Sequence, residues 1–135
     1  MDTSNPAIIV VDARNRLIRI HKNTLHLLDD PDYIQLLVNP VEKIVALRPG
    51  NPNNAKSERV NWPRLNNNHS CEMYSKPLIQ QLFLLLPKAN DISSIKLVGT
   101  HYKKENLIAF NMLDAEMIIE SDGDYERRMS QINNR

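Results

Sequence analysis

Arg14, Arg16, Arg19 and Lys22 fall within nine residues, directly after Asp12. Cations at this density suit a polyanion. Each Lys or Arg set against a nucleic-acid phosphate releases counterions and adds salt-sensitive affinity. Arg14 or Arg16 on a turn could reach guanine edges in a major groove, where a bidentate pair discriminates by about 1–3 kcal/mol. In extended backbone alternate side chains take opposite faces, so Arg19 points away from Ile18 and Ile20. The plainer reading is a solvated strand face with Asp12 paired to Arg16. Lys103 and Lys104 suggest a second phosphate contact at another turn. Lysines at sheet edges and turns also deter strand-to-strand aggregation.

Other chemistry is thinly represented. Lys56, Arg59 and Arg64 surround Trp62. That grouping would bind a single strand by stacking and charge, or Trp62 simply anchors its loop. Cys71 sits in a strand-like run, where a buried, inert thiol is the default. It is the sole cysteine, so no internal disulfide forms, which fits a reducing, cytoplasmic setting. His69 and Cys71 lack metal-finger spacing. His21 and His26 straddle a strand–helix junction, and Asp29, Asp30 and Asp32 read as a turn around Pro31. None of the three glycines lies in a phosphate-cradling loop. The expectation is a non-enzymatic protein without metal, cofactor or small-molecule substrate.

A chain of 135 residues makes one domain, or two joined half-domains, and buries roughly two-thirds of its unfolded surface. No apolar run approaches the roughly 20 residues of a membrane span, and MDTSNPAIIVVD lacks the pattern of a signal peptide. The net charge of +1 is unevenly spread. Residues 1–110 hold 14 Lys and Arg against 10 Asp and Glu, whereas residues 111–135 hold 3 against 6. The body is mildly basic and the tail acidic.

Strands are expected over Ala7–Val11 and Leu17–Ile20, with a turn at Asp12–Asn15. Asn23-Thr24 would cap a short helix bearing Leu25, Leu27 and Leu28, ended by Asp29-Asp30-Pro31. Tyr33–Val38 and Ile44–Leu47 form a hairpin around Pro40. Pro49–Ser70 reads as a long loop. A second series follows: strand Cys71–Tyr74, helix Lys76–Leu86 with Pro77 in its first turn, then strands Ile95–Val98 and Leu107–Phe110. That helix is apolar over much of its circumference, which predicts deep burial or a subunit interface. From Ser121 the chain is polar, with Glu126–Ile132 either a short exposed helix or disordered.

The two series look like copies. Lys22, Leu25 and Leu28 match Lys76, Ile79 and Leu82 at an offset of 54, and KIVALRP at 43–49 matches NLIAFNM at 106–112 at an offset of 63. The expected fold is mainly β with short helices, an α+β chain. Two duplicated strand-turn-strand-helix-hairpin units (1–49 and 71–120) share one core, joined by a Pro/Asn-rich loop (50–70) and followed by a polar tail (121–135).

VVDARNRLIRI at 10–20 and IKLVGTHYKKENLIAF at 95–110 carry a resemblance to the AbrB-like swapped-hairpin β-barrels, in the tandem arrangement of MraZ-type transcription regulators. Asp12-Ala-Arg-Asn-Arg16 fits the family's Asp-x-x-x-Arg loop, although Asn15 stands where glycine is usual and His21 where proline is usual. The resemblance implies a barrel-like fold and double-stranded DNA binding by a homo-oligomer. Asp12, Arg14, Arg16, Arg19 and Lys22 would form the contact segment, with Lys103 and Lys104 as secondary contacts. The rival expectation is a non-enzymatic protein-binding adaptor or assembly module.

Overall fold

The computed structural model describes residues 6–86 and 92–119. The polar tail and the expected helix at Glu126–Ile132 lie outside the described residues. Among the described residues nine strands form one sheet: β1 (Ala7–Asp12), β2 (Leu17–His21), β3 (Tyr33–Asn39), β4 (Ile44–Pro49), β5 (Glu58–Arg59), β6 (Ser70–Met73), β7 (Ile92–Tyr102), β8 (Leu107–Asn111) and β9 (Glu116–Ile119). Three α-helices join them: α1 (Lys22–Leu27), α2 (Trp62–Leu65) and α3 (Lys76–Leu84). Strand order is β5-β3-β4-β8-β7-β1-β2-β6, with β9 paired to β7 off this path, and all pairings among the described residues are antiparallel. The fold is therefore mainly β, a nearly closed, barrel-like sheet.

Opposed apolar residues fill its interior. Ile9 pairs with Ile20 on one side and Leu97 on the other, and Val11 with Ile18 and Ile95. All six are fully buried. Burial of each such side chain stabilises by about 1.5–3 kcal/mol. Leu25 of α1, Leu28 at its C-cap, and Ile79 and Leu82 of α3 join the same core.

Helix α1 starts earlier than the cap signal suggested. Strand β2 runs directly into it, His21 gives no side-chain cap, and the Lys22 N–H donates instead to the His69 carbonyl at 3.0 Å. Thr24 is fully buried inside the helix. Its hydroxyl accepts from the Ile8 N–H at 2.8 Å and donates to the Ile8 carbonyl at 3.0 Å. Thr24 thus extends the β1 ladder past its last partner in β2.

Helix α3 is not deeply buried. Ile79 and Leu82 are buried, Leu78 and Phe83 are partly buried against the core, and Leu84 is 83% exposed. Ser75 caps it by accepting from the Leu78 N–H, and Pro77 occupies the first turn as expected.

The expected long loop contains β5 and α2. Trp62 anchors it: the indole N–H donates to the Pro31 carbonyl at 2.9 Å and the ring stacks on His26 at 6.2 Å. Three hairpins close through four-residue turns at 13–16, 40–43 and 103–106. In each the last turn residue is left-handed: Arg16 (φ 57°), Lys43 (φ 58°) and Asn106 (φ 53°).

Candidate functional site

The β1–β2 turn is organised by one carboxylate. Asp12 ends β1 and is only 9% exposed. Its Oδ1 accepts the Asn15 backbone N–H at 3.0 Å, and its Oδ2 accepts the Asn15 side-chain amide at 2.8 Å and Arg19 at 3.1 Å. An Asx-type bond of this kind bends the backbone into a turn. Burial alone would raise the Asp12 carboxyl, but the bonds from Asn15 and then Arg19 outweigh it and hold the group below its ordinary value. Asp12 is therefore an ionised clamp turned into the fold. Its partner is Arg19 rather than Arg16: Asp12 stands opposite Leu17, and Arg19 follows two residues on along the same face of β2.

The expected contact residues separate into groups. Arg14 and Arg16 are both exposed on the turn. Arg19 is half-exposed and committed to Asp12. Lys22 opens α1 at the far end of β2. Lys103 and Lys104 belong to the opposite end of the sheet. Asp12 pairs with Ser94 at one end of β7, whereas the 103–106 turn follows Tyr102 at the other. Eight residues of strand make that separation roughly 26 Å, beyond the ~12 Å width of one major groove.

The fold adds a cation that the local sequence did not offer. Arg16 and Lys76 line an open groove of about 220 Å³ between the turn and α3, together with Ala13, Ile79, Gln80 and Phe83. Lys76 lies 60 positions after Arg16, so only the β2–β6 pairing and the helix start that follows it bring the two together. Elsewhere, burial and then the nearby Lys96 hold His21 below its ordinary value.

Cys71 is half-buried in β6, and burial, then Glu58 and Glu72, push its thiol up. A thiol raised in this way is a poor nucleophile. It borders a polar cleft of about 260 Å³ where β5 and β6 fail to meet. Among the described residues no group of three His, Cys, Asp or Glu could hold a metal, and no helix is long and apolar enough to cross a membrane.

Neither protein-family models, nor curated proteins, nor solved structures give a match to this chain.

Proposed function

We propose that this chain is a small non-enzymatic DNA-binding protein of bacterial or mobile-element origin. In this reading it regulates transcription and works in the cytoplasm as a homo-oligomer. It would hold double-stranded DNA through the 13–16 turn. The observation that carries the reading is the exposure of Arg14 and Arg16 on a turn whose backbone is fixed by a buried, ionised Asp12. A pre-shaped turn presents its guanidinium groups without first ordering a loop, which favours base reading over loose charge contact. Arg16 and Lys76 extend the basic surface along the groove. Arg19 acts by positioning the turn.

The finer fold reading, two AbrB-like units with exchanged hairpins, draws support from the strand registers. Leu36 opposite Leu47 in the β3–β4 hairpin becomes Gly99 opposite Phe110 in β7–β8 at the constant offset of 63. Lys43 and Asn106, both left-handed, correspond at the same offset. Ala46 and Ala109, which also correspond, pair directly with each other. Taking β5 as the counterpart of β1, each first strand pairs with the other half's hairpin: β1 with β7, and β5 with β3. The β1–β2 pairing has no counterpart between β5 and β6, where α2 intervenes.

Titrating Arg14→Ala/Arg16→Ala against duplex DNA over a range of salt tests the assignment. The double variant should bind more weakly, with a log K against log salt slope shallower by about 0.9 for each phosphate it no longer neutralises. Unchanged affinity and slope would remove the turn from the interface. The adaptor reading draws on the exposed Leu84 of α3. It would be favoured if mixed genomic fragments bound only weakly, without enrichment, and dissociated at moderate salt.

A further inference from the structure

The groove between the 13–16 turn and α3 is graded along the helix. Lys76, Ile79, Gln80 and Phe83 stand at i, i+3, i+4 and i+7, on one face of α3. That face passes from a cation to an aromatic ring over about 10 Å. Ile79 is buried and Phe83 is partly buried, so the core behind them holds both in place. Ala13 and Arg16 line the groove from the turn. Arg16 and Lys76 are both exposed, and among the described residues neither has an ion-pair partner. No Asp or Glu lines the groove. Two uncompensated cations therefore share one concavity with fixed apolar surface.

This make-up selects its occupant by charge and by shape. A phosphate would engage the cations and leave Ile79 and Phe83 without a contact. A neutral apolar molecule would do the reverse. A carboxylate with an apolar body engages both. At about 220 Å³ the groove is smaller than the roughly 300–1,000 Å³ of sites for drug-sized ligands, so that body is a short chain or a single ring. We propose that the groove is a binding site for a small amphipathic carboxylate, its headgroup against Arg16 and Lys76 and its apolar body along Ile79 towards Phe83. The bound anion covers Arg16 and so competes with DNA. That competition rests on the DNA-binding reading of the turn, whereas the site itself does not.

Octanoate is the probe, with butanoate and octylammonium as comparisons, read by amide chemical shifts of the full-length chain. Octanoate should shift the amides of Ala13, Arg16, Lys76, Ile79, Gln80 and Phe83, and octylammonium should leave them in place. Each buried methylene adds up to about fourfold in affinity, so half-covering the four that octanoate has beyond butanoate should tighten binding on the order of tenfold. Lys76→Gln should weaken octanoate several-fold and Lys76→Arg should retain it; the side chain is exposed, so neither change threatens the fold. Octanoate at ten times its Kd should lower the affinity for a random-sequence duplex about tenfold. Butanoate at the same concentration, which matches the ionic strength, should lower it far less. Equal binding of butanoate and octanoate, or of octylammonium and octanoate, overturns the site, as do shifts confined to other residues. Ligand-free shifts of these amides that change with protein concentration overturn it as well, since a second copy then fills the groove. Octanoate that binds here without weakening duplex binding overturns the competition. If no form binds DNA, the reading of the turn fails, and the amide shifts alone still decide the site.

Discussion

Replacing Asp12 by alanine separates two roles that ordinary electrostatics would confuse. The carboxylate is 9% exposed and accepts three hydrogen bonds, at 3.0, 2.8 and 3.1 Å. Bonds to a charged group contribute about 1.5–3 kcal/mol each when their donors are left buried. Here Asn15 is exposed and Arg19 is half-exposed, so those donors recover water and the total loss shrinks to about 2–3 kcal/mol. For a chain of this size that lowers Tm by roughly 6–12 °C. The folded-state pKa of Asp12 lies below its value of 3.8 in the unfolded chain. The stabilisation is thus full above that value and disappears as pH falls through the lower, folded-state pKa. Urea unfolding of wild type and Asp12→Ala from neutral pH down to about 3 should show the two curves converging only at the acid end. DNA titration adds a sign test. Removing a negative charge beside Arg14 and Arg16 should strengthen phosphate attraction if charge alone matters. It should weaken binding if the clamp shapes the turn. A stability loss under about 0.5 kcal/mol, or tighter DNA binding, would refute the clamp.

Four further outcomes follow from particular contacts. Arg16→Gly relieves a left-handed arginine, so unfolding should show a change between zero and about 1 kcal/mol of added stability while DNA affinity falls. Thr24→Val leaves the Ile8 N–H and carbonyl without the hydroxyl, and denaturant melts should show a loss of about 2–3 kcal/mol, largely restored by Thr24→Ser. A Cβ on Gly99 would lie 2.6 Å from Ile108 and 2.7 Å from Phe110, so Gly99→Ala should cost about 1–3 kcal/mol by calorimetry and recover in part with Phe110→Leu. His21 is held below its ordinary value, so the unfolded chain takes up the proton first; stability should start to fall as pH drops below about 6.5, and His21→Gln should flatten that slope between pH 7 and 5.

What the sequence revealed follows the range of the interactions. Strands β1 to β4 were readable because their alternation is local and turn residues bound them. Strand β7 runs from Ile92 to Tyr102, far past the expected Ile95–Val98, because Gly99, Thr100 and His101 look like a loop. Gly99 in fact makes room for Phe110. Strand β5 is two charged residues whose strand character comes only from pairing with β3, and β9 was not anticipated at all. At the site, Arg14 and Arg16 were visible as neighbours in sequence. Arg19 as the partner of Asp12 depended on the β1–β2 register, and Lys76 depended on a strand pairing across more than fifty residues.

The unequal halves bear on how such a protein would read DNA. If the chain is a duplication, α2 has replaced the copy of the β1–β2 turn. There the exposed Arg64 stands 3.8 Å from Glu72, a contact too loose and too wet to fix a backbone as Asp12 does. Among the described residues Asp12 is the only buried carboxylate, so the 13–16 turn alone is clamped in this way, and one turn engages only a few phosphates. Counterion release from so few contacts gives weak binding at moderate salt. Specific recognition would come from a second copy, with two turns meeting half-sites in successive major grooves about 34 Å apart. The exposed Leu84 and the incompletely covered Phe83 on α3 are apolar surface on which such a pair could form. The helix divides between two surroundings: Ile79 and Leu82 join the core, while Leu84 faces outward, and a pair formed there would supply the two-fold symmetry that a DNA-binding dimer needs.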